Sequence, residues 1–291
     1  MFGSVSTVAK PVVSSVNPLL LSSLVYLTAS ATLAPAAYWR KNHQVIKDDR
    51  KIQDFFLVVA IALAGAILAP ALYFVGLQQS SASDATLLAN GEIIFTVAIA
   101  LVFFKERLKP LGYLAVLLVL AGVIIVTTDL NFASTLLSRQ TYYGGLLILT
   151  STLFWAIDNN ISRVATRRMG VARVAHLKGG IGGGTLLVIA LFAGIPPVIE
   201  EGQIVPILLL GAAGFGGSLY FFLESLKRIG VVRTILLFSL SSVFGLVFAA
   251  IFLGERISAY QIIAAAIMLG GTYVVNRKES AAQLPDDRQS G

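Results

Sequence analysis

Cysteine is absent from the 291 residues, and charged residues make up only 13% of them. The first absence excludes disulfides and thiolate metal sites. The second argues against an ordinary soluble domain, in which about 25% of residues are charged. Histidine is scarce as well: His43 and His176 are far apart in the chain, and neither belongs to a motif for metal-assisted hydrolysis. The sequence therefore predicts no metal site and no cofactor.

A nucleotide-binding loop is also missing. The glycine-rich run at 179–184 superficially resembles a phosphate loop, but no strand precedes it, no Lys-Ser or Lys-Thr follows it, and it lies inside an apolar span. Close packing of helices is the preferred interpretation of these glycines. A local unwinding that lets the helix bend is the alternative. ATP-driven pumping by this chain is therefore not indicated.

Long hydrophobic runs dominate what is present: 56% of the residues are hydrophobic and the mean hydropathy is +0.83. The runs are roughly 18 to 23 residues long, which is the length a helix needs to cross a ~30 Å hydrocarbon core. A further run at 2–16 is shorter and more polar. We therefore predict an all-α integral membrane protein with ten transmembrane helices, with spans at 2–16, 18–39, 55–75, 83–104, 110–127, 142–164, 174–193, 204–224, 232–253 and 258–275.

The net charge of +7 could suggest a nucleic-acid partner. The basic residues, however, form short clusters between the apolar runs, and this pattern indicates membrane topology instead. All but four of the 22 Lys and Arg residues fall on one side of the predicted bundle, the exceptions being Lys10, Arg139, Lys178 and Arg256. The positive-inside rule then places the loop at 40–54 and the C-terminus in the cytoplasm.

The chain also repeats itself. Residues 104–108 match 253–257 at an offset of 149 (253 − 104), and residues 72–74 match 219–221 at an offset of 147 (219 − 72). Five spans per copy is an odd number, so the second copy enters the membrane from the other side, as in many secondary transporters. The predicted organisation is a first repeat at 1–127, an extracytoplasmic linker at 128–141, a second repeat at 142–276 and a polar cytoplasmic tail at 277–291, which we expect to be disordered.

The same alignment indicates that the first helix is shorter than its counterpart in the second copy. Phe2 aligns with Trp155 at an offset of 153 (155 − 2), so the helix that begins near Tyr142 in the second copy would begin before Met1 in the first. From this offset we expect about a dozen residues of a full span to be missing. We expect a native start upstream of Met1, or a shortened chain.

Three motifs carry a family resemblance: the paired helix ends Glu106-Arg107 and Glu255-Arg256, the stretch at 80–88 that runs into Glu92, and the stretch at 155–160. With these, nearly the whole chain resembles the EamA-like branch of the drug/metabolite transporter superfamily. The resemblance implies a ten-helix inner-membrane carrier whose central cavity is lined mainly by helices one, three, four, six, eight and nine. It does not name the solute, because the superfamily moves amino acids, sugar conjugates, nucleobases and drugs. Export is the direction that its bacterial members suggest.

Glu92 is the first candidate site residue. It lies near the middle of the span that starts at Ser83, where an ionised carboxylate costs at least a few kcal/mol unless water or a partner compensates. Two functional roles are open: Glu92 binds a cationic part of the solute, or it carries a coupling proton. The alternative is a protonated glutamate that only packs between helices.

Asp158, Asn159 and Asn160 form a polar ledge in the cytoplasmic half of the sixth helix, and Lys178 lies at a comparable depth in the seventh. An ion pair between Asp158 and Lys178 is geometrically allowed. It would be a gate that breaks when the cavity opens inward, or a static structural bridge, because charges in membranes usually pair. Asn159 either contacts the solute or bonds a neighbouring helix.

The aromatic residues Tyr73, Phe95, Trp155 and Tyr220 either stack on a solute or pack between helices. Taken together, the pattern predicts secondary, carrier-type transport of a small metabolite such as an amino acid, nucleobase or organic cation, and no enzymatic activity. The energy would come from protons, a counter-solute or the solute's own gradient. Homodimerisation stays open. The alternatives are an intramembrane enzyme that acts on a lipid-linked substrate, and a channel.

Overall fold

The structure, a computed structural model, describes residues 2–39, 51–103, 110–128, 139–229, 234, 237–238 and 240–281, and every regular element within these ranges is a helix. A 3-10 turn at Phe2–Ser4 precedes the first of them. The α-helices are α1 (Val5–Val13), α2 (Pro18–Trp39), α3 (Lys51–Ala62), α4 (Ala69–Gln78), α5 (Ala82–Leu88), α6 (Gly91–Phe103), α7 (Pro110–Thr128), α8 (Arg139–Met169), α9 (Val171–Phe192), α10 (Glu201–Leu209), α11 (Ser218–Ile229), α12 (Ser241–Leu253) and α13 (Ala259–Ala281).

Within the described residues, five segments are long and apolar enough to cross a membrane: Pro18–Tyr38, Ile52–Gln78, Ala82–Phe103, Val171–Phe192 and Glu201–Ile229. Shorter apolar helices lie at Pro110–Val126, Ser241–Leu253 and Ala259–Gly271. Large apolar side chains cover much of the outer surface, as at Phe192 and Phe252, which suits a surface that faces lipid. The predicted all-α, multi-pass membrane protein is therefore confirmed.

The two repeats are visible in matching helix geometry. Helices α2 and α9 have the same length, 22 residues. A π-helical segment, Leu63–Leu68, joins α3 to α4, and another, Leu210–Gly217, joins α10 to α11. The offset of 147 residues carries Leu63 onto Leu210 (63 + 147). Both segments are rich in Gly and Ala, and insertions of this kind widen one turn of an otherwise α-helical span. This matching geometry agrees with the two repeats that the sequence predicts.

The fourth span is broken, whereas the hydropathy pattern predicts one continuous helix at 83–104. Helix α5 ends at Leu88 and α6 starts at Gly91. At the break, the Asn90 amide nitrogen donates to the Leu87 carbonyl at 3.1 Å and to Ser242 Oγ at 2.7 Å. An asparagine side chain that bonds a nearby carbonyl competes with helix formation. The break leaves Glu92 in the first turn of α6.

Two predicted boundaries move. Helix α8 begins at Arg139, inside the linker expected at 128–141, and α13 continues past Arg277 to Ala281. The tail at 277–291 is therefore helical in its first part, because Arg, Lys, Glu and Ala all favour helices. The basic clusters at 40–50, the Glu106-Arg107 helix end, Arg233 and the chain after Ala281 lie outside the described residues.

Close packing positions α9 against α2. A side chain at Gly183 would overlap the Leu27 backbone and the Ser23 carbonyl, and Ser23 Oγ donates to the Gly183 carbonyl at 2.8 Å. Gly182 lies equally close to Ala66 in the first π-helical segment. The interpretation of the glycine-rich run as a packing surface is confirmed, and α9 continues through it without unwinding.

Candidate functional site

Two neighbouring cavities lie inside the bundle and share Phe2, Glu92 and Phe238 as lining residues. The first is also lined by Tyr26, Trp155, Asp158, Asn159, Lys178, Phe215, Ser218, Leu219 and Phe222; we call it the charged cavity. The second is also lined by Gly3, Ser6, Tyr73, Thr86, Ala89, Asn90, Ile93, Ser241 and Ser242; we call it the hydroxyl cavity. Glu92 is the charged group that both cavities share.

An ion pair forms one wall of the charged cavity. Lys178 Nζ from α9 donates to Asp158 Oδ2 from α8, with both side chains at most 2% exposed. Ser162 Oγ donates to the other Asp158 oxygen, Oδ1, at 2.9 Å. The predicted pair is therefore present. Its two charges cancel, and the extra hydroxyl helps to offset the cost of removing the carboxylate from water.

Glu92 projects from the first turn of α6 and is 5% exposed. The Asn159 amide nitrogen, from α8, donates to Glu92 Oε1. Oε2 receives no hydrogen bond from the residues that the structure describes. The amide donor and the partial positive charge at the N-terminus of α6 both stabilise the ionised carboxylate. The site thus holds an oriented carboxylate with one oxygen that no described residue hydrogen-bonds.

The other predicted site residues are divided between cavity walls and packing positions. Trp155 lines the charged cavity and Tyr73 the hydroxyl cavity, where Tyr73 OH hydrogen-bonds Ser6 at 2.7 Å. Asn160 faces α6 instead, and donates to the carbonyls of Thr96 and Ala156 at 3.2 and 2.9 Å. Tyr220 and Phe95 are not among the residues that line either cavity.

Sequence reasoning missed most of the aromatic lining. Phe2 packs on Phe238 with ring centroids 4.5 Å apart and on Phe215 at 6.0 Å, and Tyr26 packs on Phe215 at 5.2 Å. Tyr26 also donates its hydroxyl to the Gly65 carbonyl at 2.7 Å, which fixes α2 to the first π-helical segment. One signal was available, because Phe2 aligns with Trp155 in the repeat. The others are single aromatic residues in apolar spans, where most neighbouring positions are also apolar or small.

One end of the bundle is held by charged groups that contact the termini of α4 and α5. We call it the Asp84 end, because Asp84 lies there in the first turn of α5. The Glu255 carboxylate accepts the backbone N–H groups of Ala82 and Ser83 at 2.9 Å each, as well as the Ser83 hydroxyl. Lys10 Nζ donates to the Leu77 carbonyl at 2.9 Å and to the Ser80 carbonyl. Each charge has the sign that complements its helix terminus. The contacts join the α4–α5 hairpin to α1 and to the segment after α12.

A comparison with known families decides the identity. The profile of the EamA-like transporter family matches residues 1–128 and 142–277, which together span both repeats. The chain belongs to this family. This EamA-like chain is therefore a membrane transporter, and its predicted place in the drug/metabolite transporter superfamily is confirmed.

Several curated relatives are similar along most of this EamA-like transporter. An uncharacterized transporter of Methanothermobacter thermautotrophicus is 28% identical over 285 residues, covering 94% of this chain and 82% of its own. The uncharacterized transporter YyaM of Bacillus subtilis is 24% identical, covering 78% of this chain and 74% of its own. A crystal structure with 22% identity covers 95% of this chain and 94% of its own with a TM-score of 0.71, which supports the fold.

The two repeats contact each other along two related surfaces, which we call seams, and the charged groups of this EamA-like transporter lie along one of them. In this seam α6 meets α8, and Glu92 contacts Asn159. Repeat offsets of 149 (241 − 92) and 153 (159 − 6) carry them onto Ser241 and Ser6, which line the hydroxyl cavity. The same offset of 153 carries Asp158 and Lys178 onto apolar residues, Val5 and Val25 (158 − 5 and 178 − 25). The helix arrangement is therefore duplicated, whereas the charged residues occur along one seam only.

Proposed function

We propose that this chain is a secondary carrier that moves a small metabolite, such as an amino acid, nucleobase or organic cation, out of the cell across the cytoplasmic membrane by alternating access. Its C-terminus is cytoplasmic in this proposal, and a proton gradient or a counter-solute supplies the energy. The chain itself catalyses no chemical conversion.

The observation that carries this proposal is the charged cavity between the two repeats. Ionisable groups are expensive inside a membrane and are found where they face a protein interior or a solute pathway. Glu92, Asp158 and Lys178 all line one cavity, and all three are at most 5% exposed. A solute site at the interface of inverted repeats is the usual arrangement in carriers that rock one repeat against the other.

Alternating access also requires contacts that close one end and can be broken. The Asp84 end supplies such contacts, because Glu255 and Lys10 each join elements that are distant in sequence. Each is a set of hydrogen bonds made by one charged side chain. In our proposal this end is extracytoplasmic and opens when these bonds break.

Transport by purified protein in liposomes tests the proposal. Liposomes are loaded with unlabelled solutes from a panel of amino acids, nucleobases and organic amines, and the uptake of the same labelled solute is measured. We expect at least one solute to show saturable uptake that the internal solute accelerates. The Glu92→Gln variant should lose most of this uptake, whereas Glu224→Gln, at an exposed ion pair with Arg228, should retain it.

Three other results would contradict the proposal. Flux that does not saturate and is not accelerated by internal solute would indicate a channel. Chemical conversion of a lipid-linked substrate without net movement of a solute would indicate an intramembrane enzyme. If no member of the panel crosses the membrane above the rate of protein-free liposomes, the carrier proposal is rejected for these solute classes.

A further inference from the structure

The charges on the described lining of the charged cavity do not balance. Asp158 and Lys178 neutralise each other through their ion pair, which leaves the Glu92 carboxylate as the net charge of the described lining. Its hydrogen-bond partner, Asn159, is a neutral amide. Among the described residues no basic side chain forms an ion pair with Glu92.

Two features of the immediate surroundings favour the charged form of Glu92. Glu92 begins α6, so that the helix dipole favours a negative charge at this position. The Asn159 amide fixes Oε1, and Oε2 has no hydrogen-bond partner in the described part of the chain. An oriented carboxylate with one available oxygen accepts a donor that carries positive charge, since such charge-assisted hydrogen bonds are the stronger kind.

The rest of the wall is aromatic. Phe2, Trp155, Phe215 and Phe238 all line the charged cavity, and the Phe2 ring packs on the other three with centroids 4.5 to 6.3 Å apart. Aromatic faces attract ammonium groups and also bury the apolar body of a ligand. A carboxylate with aromatic walls suits a ligand that is positively charged at one point and apolar elsewhere.

We infer that the solute is an organic monocation, an amine or quaternary ammonium with an aromatic or similarly apolar body, whose cationic group binds the Glu92 carboxylate. This inference rests on the proposed function and selects one of its solute classes. A zwitterion such as an amino acid is disfavoured because its carboxylate would need Lys178, which Asp158 already holds. An organic anion is disfavoured by Glu92 itself.

A charge series on one ring system tests the inference. The full chain is purified in detergent, and calorimetric titration at neutral pH measures the binding of tryptamine, tryptophan, indole and indole-3-acetate, which carry a positive, zwitterionic, neutral and negative charge. Benzyltrimethylammonium is added as a second cation. Both cations should bind, and tryptamine should bind at least about tenfold more tightly than the other three indoles, since a charged hydrogen bond contributes about 1.5–3 kcal/mol.

Variants then locate the charge. Glu92→Gln should weaken tryptamine binding by about tenfold or more and leave indole binding unchanged, and Glu92→Asp should recover part of the loss. Glu224→Gln is the matched control and should bind like the unmodified chain. If Glu92→Gln does not fold, the charge series on the unmodified chain still decides.

Three outcomes overturn the inference: tryptophan or indole-3-acetate binds as tightly as tryptamine, neither cation binds, or Glu92→Gln retains full affinity for tryptamine. The liposome assay separates this failure from that of the proposed function. Exchange of amino acids or nucleobases without exchange of amines rejects the cation and keeps the carrier. Absence of exchange for the whole panel rejects both.

Discussion

The backbone of Gly65 lies directly against the carboxyl group of Asp158, so close that a Cβ atom at Gly65 would overlap the Asp158 side chain. Gly65 belongs to the first π-helical segment, and its carbonyl accepts the Tyr26 hydroxyl at 2.7 Å. The missing side chain therefore gives Asp158 the space in which it pairs with Lys178.

The variant Gly65→Ala tests this relationship. We expect a loss of about 1–3 kcal/mol in stability, the usual cost of overpacking, because the methyl group displaces the Asp158 carboxylate. Thermal unfolding of the detergent-purified protein measures it. Gly184→Ala is the control, since a Cβ there meets nothing within 4 Å, and alanine favours a helix by up to about 1 kcal/mol over glycine. Equal midpoints for the two variants would contradict the prediction.

The buried ion pair predicts a pattern across three variants. Asp158→Asn and Lys178→Met each leave one charge buried without its partner, which costs about 3–5 kcal/mol, and the double variant should recover most of this loss. Chemical denaturation of all three gives the coupling energy. The pair between Glu224 and Arg228, with side chains 22% and 73% exposed, is the comparison and should contribute less than about 1 kcal/mol. Additive losses in the double variant would show that the two charges act independently.

Transport by the same variants tests whether function needs only the pairing of Asp158 with Lys178 or the charges themselves. Uptake that is lost in both single variants and recovered in the double variant indicates that pairing is sufficient for function. A double variant that is stable but does not transport indicates that the charges themselves are needed.

Glu255 is expected to hold the Asp84 end closed. Glu255→Gln removes the charge that accepts two backbone N–H groups at the start of α5, a capping contact worth about 0.5–2 kcal/mol.

The chain has no cysteine, so the variant Ala89→Cys provides a single labelling site on the hydroxyl cavity. With Glu255→Gln, labelling by a membrane-impermeant thiol reagent should be about five- to thirtyfold faster. Glu201→Gln, at an exposed position in the first turn of α10, is the control and should leave the rate unchanged.

Lys10 makes the complementary contact on α4. Lys10→Met keeps the length of the side chain and removes the donor to the carbonyls of Leu77 and Ser80. We expect a loss of about 1–3 kcal/mol, since hydrogen bonds from a charged donor are involved. The denaturation midpoint measures it, with Lys227→Met in the last turn of α11 as the control. A midpoint that matches the control would show that Lys10 contributes nothing to the stability of the Asp84 end.

The spans were predictable because lipid imposes simple rules. A backbone in hydrocarbon must satisfy its own hydrogen bonds, so an apolar run of sufficient length is a helix. Helix α2 begins and ends where the hydropathy pattern places it, at Pro18 and Trp39. The pairing of Asp158 with Lys178 was predictable for a related reason, since an isolated charge in this environment is costly.

Features that depend on distant partners were not predictable. The break before α6 includes a hydrogen bond from Asn90 to Ser242, which lies in the other repeat, and Glu255 adds to the cap that Ser81 makes on α5. The contact between Glu92 and Asn159 was missed as a contact, although both residues were candidates. In each case the sequence shows the residue type and not the partner, because the partner is set by how the two repeats pack.

The uneven charging of the two seams has an energetic consequence for a carrier of the proposed kind. In a chain made of two identical inverted copies, a structure open to one face is related by symmetry to the structure open to the other, and the two states are degenerate. Here one seam carries Glu92 and Asn159 and its counterpart carries Ser241 and Ser6. Each state removes a different seam from water, so the two states of such a carrier differ in free energy. The empty protein then rests in the state of lower free energy, and binding of the solute or a coupling ion must supply the difference.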